Sequence, residues 1–228
     1  MSHKSISYTK TLFDTTASNY NPKLVQGDVR KIDEYFEYGE IDTVLFSSVL
    51  HEVYSYNDFS IDAVSEALQG AWNVLPKGGR IIIRDGIRPP KSSHDVAIWF
   101  KNKGDINIVK RFTNDFKGRQ IQLKYVGDGH VVLPLDDAME FLYTYTWGGE
   151  DAYDREVKEQ FGIMTLHEYL LYLKSLLKGA HILKHENYLQ EGYHYFLSKK
   201  IDFTDAVDNR NIRLPDSKAM FVIEKTID

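Results

Sequence analysis

Between Asp58 and Leu75 the apolar positions Ile61, Val64, Ala67, Leu68, Ala71, Trp72 and Leu75 recur at helical spacing, and Pro76-Lys77-Gly78-Gly79 closes the run. A helix is expected there, followed at once by RIIIRDG, residues 80–86, which reads as a buried strand. Upstream, DTVLFSSVL, residues 42–50, is rich in β-branched and aromatic side chains without alternation, the pattern of a strand covered on both faces inside a parallel sheet. LVQGD, residues 24–28, predicts a short strand entering a short helix with Val29, Ile32 and Phe36 on its inner side. Strand, helix, strand, helix, strand in this order implies parallel strands joined by right-handed crossovers with helices on the faces. Runs 42–50 and 80–86 are expected as adjacent or near-adjacent inner strands, and the carboxyl edge of such a sheet is where ligands bind.

Beyond Pro89-Pro90 the pattern fades until Leu135. A helix is then expected from Asp136 to about Thr146. Another, from Thr165 to Leu177, carries Leu166, Tyr169, Leu170, Leu173, Leu176 and Leu177 on one side, with Gly179 as its cap. The runs HILKHENYL and KAMFVIEK predict two strands pairing antiparallel at a sheet edge.

Composition narrows the field. The 228 residues are 43% hydrophobic, enough for one sizeable core, so residues 1–228 are read as a single domain in which 87–164 form an insertion or substrate-side cap. The absence of cysteine excludes disulfide scaffolds, thiolate zinc sites and cysteine nucleophiles. No apolar run approaches the ~18 residues of a membrane span, and a cytoplasmic protein is expected. The net charge is −5, but residues 91–125 hold eight Lys or Arg against three Asp, a local excess of +5.

LVQGD, IDTVLFSSVLHEV, the phrase NVLPKGGRIIIRDG and the terminal helix followed by two strands together resemble the later two-thirds of a class I S-adenosylmethionine-dependent methyltransferase. The likeness is close over residues 24–86 and by element order over 165–228. It implies an α/β, Rossmann-like sheet, mainly parallel with an antiparallel last strand, here lacking the first strand or strands and the glycine-rich turn of the family. It also implies S-adenosylmethionine as cofactor. By the same resemblance Asp28, through its carboxylate or the neighbouring backbone at Val29, meets the adenine, and Asp14, after SYTKTLF, the ribose. Ser47 and Ser48 close the family-like fourth strand beside the cofactor. For Asp28, a helix N-cap accounts equally well for the residue.

His51-Glu52, at the carboxyl edge, pairs an imidazole with a carboxylate and suits a proton acceptor or substrate contact. Arg84 and Asp85 end the next strand, either as a structural ion pair or facing a substrate. Tyr143, Tyr145, Trp147 and Arg155 lie in an aromatic segment expected to wall a substrate pocket and, through the rings, to receive the cofactor's positive sulfur; the alternative is a helix whose rings fill the core. The cap is expected to bring Trp147 or a nearby tyrosine within reach of His51. His181 and His185 have zinc-like spacing but fall in a strand, so no metal is assigned. Nucleophile-elbow, phosphate-loop and paired-carboxylate signatures are missing, which leaves hydrolases without an anchor. The activity expected is methyl transfer to an unidentified nucleophile, with a small-molecule substrate as partner. The alternative is a non-catalytic module of the same fold used for binding or for a homo-oligomer, and a further reading takes 91–125 as an RNA contact.

Overall fold

A computed structural model describes residues 24–90, 93–147 and 150–227, with only the backbone of residues 150 and 151. Asp14 lies outside the described residues. The first sheet holds β1 (Thr43–Ser47), β2 (Arg80–Gly86), β6 (Ala180–Tyr188) and β8 (Lys218–Lys225), in the order β1-β2-β8-β6. β1 and β2 run parallel, with Val44 opposite Ile81 and Phe46 opposite Ile83. β8 is antiparallel to both β2 and β6. The expected antiparallel pair therefore forms, with β8 inserted between β2 and β6 and β6 at the edge.

One face of this sheet is buried. Val44, Phe46, Ile81, Ile83, Ala219, Phe221 and Ile223 point the same way in register and meet α2 (Ile61–Val74) and α6 (Leu166–Leu176). The helical spacing read between Asp58 and Leu75 is what turns Ala63, Val64, Ala67, Leu68 and Ala71 onto these strands. α2 stops where expected: Gly78 takes φ +84°, a left-handed conformation that costs a glycine little. The Lys225 ammonium holds the last carbonyls of α2, at 2.9 Å from Trp72 O and 2.7 Å from Leu75 O. α6 begins on a capping box, in which the Thr165 hydroxyl accepts from Glu168 N and the Glu168 carboxylate accepts from Thr165 N.

Two expectations need correction. Residues 24–28 form no strand: Leu24 and Val25 are 46% and 37% exposed, and Asp28 instead caps a 3-10 helix over Val29–Glu34 that packs on α2. Nor is the 42–50 run an inner strand. β1 covers only Thr43–Ser47, pairs on one side with β2, and has no strand on its other side among the described residues. Leu45, on the face away from α2 and α6, is 62% exposed among the described residues. An unbroken apolar run reports affinity for burial, and what covers it is decided elsewhere in the chain.

The second sheet was not legible in the pattern. β3 (Asp95–Phe100), β4 (Tyr125–Val126), β5 (His130–Pro134) and β7 (Ile201–Asp205) run antiparallel in the order β4-β5-β3-β7. Val96, Ile98, Val131 and Leu133 share a second core with α3 (Ile106–Asp115), α4 (Leu135–Trp147) and α7 (Glu191–Ser198). This core draws on Tyr193, Leu197, Ile201 and Phe203, well beyond residue 164. In the basic stretch 91–125, Lys103, Arg111, Arg119 and Lys124 each pair with an aspartate.

Candidate functional site

β1 ends at Ser47, and Ser48, at φ +52°, turns the chain into α1 (Leu50–Ser55). A serine in the left-handed region is a local strain, of order ~1 kcal/mol, that neighbouring contacts must hold in place. Ser48 N donates to Arg84 O at 2.7 Å, which fastens this corner to β2. The residue at the N-cap of α1 is Val49, which has no side-chain acceptor, so the first amides of the helix need a partner from elsewhere.

That partner is Asp85. Its Oδ2 accepts from Leu50 N at 2.8 Å and His51 N at 3.2 Å, while Oδ1 accepts from Gly86 N at 2.7 Å and lies 2.6 Å from His51 Nδ1. One buried carboxylate thus caps the helix and fixes the imidazole, with the proton on Nδ1 and Nε2 left as the acceptor. Burial alone lowers the His51 pKa and raises that of Asp85. The charge and hydrogen bond each gives the other override this, so the His51 pKa stands above its usual value and that of Asp85 below. Because successive strand residues face opposite ways, Arg84 does not pair with Asp85. It donates to Tyr188 Oη at 2.9 Å and Ser48 Oγ at 3.2 Å on the other face.

His51 opens onto a cavity of about 670 Å³ at the carboxyl edge of β1 and β2. Ser48, Glu52, Arg84, Trp147 and Arg155, all read from the sequence as candidates, line it with His51. Phe161 meets His51 at a tilt of 31° with ring centroids 4.6 Å apart, and Trp147, 44% exposed, lines the same cavity. The cap segment therefore does reach His51. Tyr143 and Tyr145 stand elsewhere: Tyr143 is buried behind Phe161, donating to Ser217 O at 2.5 Å, and Tyr145 bonds Asp105 in the second core. The alternative reading of those two rings, as core, describes their positions.

Several lining residues went unread. Glu159, buried, accepts from Tyr56 Oη at 2.7 Å and places Oε2 3.8 Å from His51 Nε2; burial raises its pKa against the lowering effect of the Tyr56 bond. Lys218 heads β8 with its ammonium 3.3 Å from Ser48 Oγ. Glu159 lay inside the aromatic segment the sequence singled out, and a lysine opening a buried strand was itself a signal. His51, Glu52 and Glu159 offer an imidazole nitrogen and two carboxylate oxygens within 4.8 Å of one another, a donor set that can surround a divalent cation.

The cofactor-side candidates do not converge. Both carboxylate oxygens of Asp28 are taken by Arg30, whose Nη2 lies 2.6 Å from Oδ2, and Ser47 is exposed on the outer face of β1. Neither these two nor Val29 lines the cavity. As placed, Asp28, Val29, Ser47 and Ser48 form no common cradle for S-adenosylmethionine.

No protein-family model matches the chain, and no curated protein matches it. Solved structures do. A protein from work on the conversion of a disulfide bond into a thioacetal group during echinomycin biosynthesis aligns with 98% of this chain at 12% identity and a TM-score of 0.43. This chain spans 63% of that protein's length. Also similar are a SAM-dependent methyltransferase from Methanosarcina mazei, with 10% identity, coverage of 100% of this chain and 80% of that one and a TM-score of 0.49, and an S-adenosylmethionine-dependent methyltransferase from Clostridium acetobutylicum, with 11% identity, coverage of 98% and 72% and a TM-score of 0.41.

Proposed function

We propose that the chain is an S-adenosylmethionine-dependent methyltransferase acting on a small molecule, and that the cavity at His51 is the acceptor half of its site. The observation that carries the reading is the buried Asp85–His51 pair, with Nε2 turned to a 670 Å³ cavity at the carboxyl edge of a parallel pair. The sequence phrase NVLPKGGRIII and the last strand of the chain, β8, inserted antiparallel between β2 and β6 support it further.

The methyl donor brings an activated group, so the acceptor side needs alignment and loss of a proton. An oxygen or nitrogen nucleophile within hydrogen-bond reach of Nε2 gives its proton to His51. The imidazolium so formed is held by Asp85 on one side and faced by Glu159 on the other. Trp147 and Phe161 supply flat apolar walls for the acceptor. Calorimetric titration with S-adenosylmethionine and S-adenosylhomocysteine tests the reading. Heat from either ligand is expected, and its absence in a folded chain free of bound cofactor sinks the assignment.

The cluster of His51, Glu52 and Glu159 favours a second reading, in which a divalent cation on Nε2 replaces the proton acceptor and orients the acceptor's oxygen; Asp85 then serves as the outer carboxylate that aligns a ligating histidine. One nitrogen cannot do both. Dialysis against a chelator that leaves turnover unchanged excludes the cation.

A further inference from the structure

Arg84 and Lys218 stand on the same face of the first sheet, one step apart along the β2–β8 register, where Arg84 is opposite Met220 and Gly86 opposite Lys218. Both line the cavity. Lys218 is only 6% exposed, yet no carboxylate of the described residues comes within 4.0 Å of either cation. The Arg84 guanidinium meets Tyr188 Oη and Ser48 Oγ, and the Lys218 ammonium meets the same Ser48 Oγ and, at 5.9 Å, the ring of Phe161. The buried ammonium of Lys225, by contrast, is held by two carbonyls.

Nearby acids are already engaged. Asp85 serves His51 and three backbone amides, and Glu156 pairs with Arg155 at 2.6 Å. A buried cation with only neutral hydroxyl partners and no paired carboxylate is costly, and two placed side by side repel as well. The cost falls away when an anion enters. Ser48 points to the same answer. Its hydroxyl oxygen receives both cations, which leaves its hydrogen to donate, and no acceptor for it is present among the described residues. Guanidinium, ammonium and hydroxyl donors therefore converge with no carboxylate among their partners, the arrangement that recognises an oxyanion. Glu52 and Glu159, clustered with His51, line the same cavity, so an anion is attracted to the Arg84–Lys218 corner and repelled by the acids at His51.

We propose that Arg84, Lys218 and Ser48 bind a carboxylate or phosphate group of the acceptor and so direct its nucleophilic end toward His51. The word acceptor rests on the methyltransferase reading; the anion site does not. The substrate class is then a small hydroxy- or amino-substituted acid or phosphate ester.

Titration of the intact chain with benzoate, phenyl phosphate and the neutral benzyl alcohol decides the matter. At least one of the anions is expected to bind below about 10 mM, and benzyl alcohol at least tenfold more weakly, on the order of one charge-assisted contact. Arg84→Gln and Lys218→Met are each expected to weaken the anion about tenfold and leave S-adenosylhomocysteine unaffected. Since Lys218→Met removes a buried charge that has no carboxylate within 4.0 Å, its thermal midpoint should equal or exceed that of the parent, and the anion should raise the parent's midpoint more than the variant's. Binding of benzyl alcohol as tight as that of both anions overturns the proposal, as does no anion binding at about 10 mM. Loss of S-adenosylhomocysteine affinity in Arg84→Gln with anion binding intact reassigns the corner to the cofactor's own carboxylate and overturns it too. Failure of S-adenosylhomocysteine to bind the parent removes the methyltransferase reading alone.

Discussion

Asp85 grips His51 twice, through the imidazole at 2.6 Å and through the backbone amide at 3.2 Å. The carboxylate that sets the tautomer of the ring also caps the helix on which the ring rides, so side-chain chemistry and backbone placement cannot be varied independently.

His51→Gln is therefore expected to lower kcat by about 100-fold to 10,000-fold, the usual value of a positioned proton acceptor, with little change in acceptor KM. Asp85→Asn removes the charge that holds the His51 pKa up, so the acid limb of the kcat/KM profile should move to lower pH as the maximum falls. A limb that stays in place would assign Asp85 to capping alone.

The same pair makes a stability prediction with a definite sign. Asp85 has a lowered pKa, so its contribution is present above the unfolded value of about 4 and lost as pH falls through the folded one. His51 has a raised pKa, so its contribution is complete below about 6.5 and lost as pH rises through the folded value. Urea midpoints measured from pH 3 to 9 should show the difference between parent and Asp85→Asn greatest between those limits.

Glu140 behaves oppositely to Asp85. Burial lifts its pKa to about 7 despite the amides of Phe161 and Gly162, at 3.1 and 2.6 Å, and the attraction of Arg119. With the folded value above the unfolded one, stability is fullest below about 4.5 and declines as pH rises to about 7, by ~3 kcal/mol at most. Glu140→Gln should flatten this part of the profile.

Thr165→Ala removes one arm of the capping box that opens α6 and is expected to cost about 1 kcal/mol, read as a lower urea midpoint at unchanged slope. Thr165→Ser should recover most of it.

Trp147→Ala tests the wall of the cavity. Acceptor KM should rise about tenfold, on the order of 1 to 2 kcal/mol of lost apolar contact, with kcat nearly kept, because the ring binds and does not move a proton.

Which of these residues the sequence disclosed follows from physical range. α2, β2, α6 and β8 were legible because their apolar spacing is local, and His51 because a strand end followed by a helix places it at the carboxyl edge. β1 was misjudged as an inner strand, since Leu45 is as apolar as Phe46 and the run does not show that only the Phe46 face is covered and that, among the described residues, β2 is its one strand partner. The second sheet draws strands from residues 95 to 205, and pairing across such distances leaves no periodic trace. Lys218 and Glu159 reach the cavity for the same reason, being 167 and 108 positions from His51 and brought there by β8 and by the segment after α5 (Glu150–Glu156).

The place of β8 has a consequence for the making of the protein. It lies between β2 and β6, pairing Ile81 with Ile223 and Ile182 with the same Ile223. During synthesis, β2 must wait with one edge bare until residues 218–225 leave the ribosome, while β3, β5 and α4 already have partners for a core of their own. A chain ending before residue 218 would thus leave β2 and β6 without the strand that joins them, an apolar edge open to misassociation.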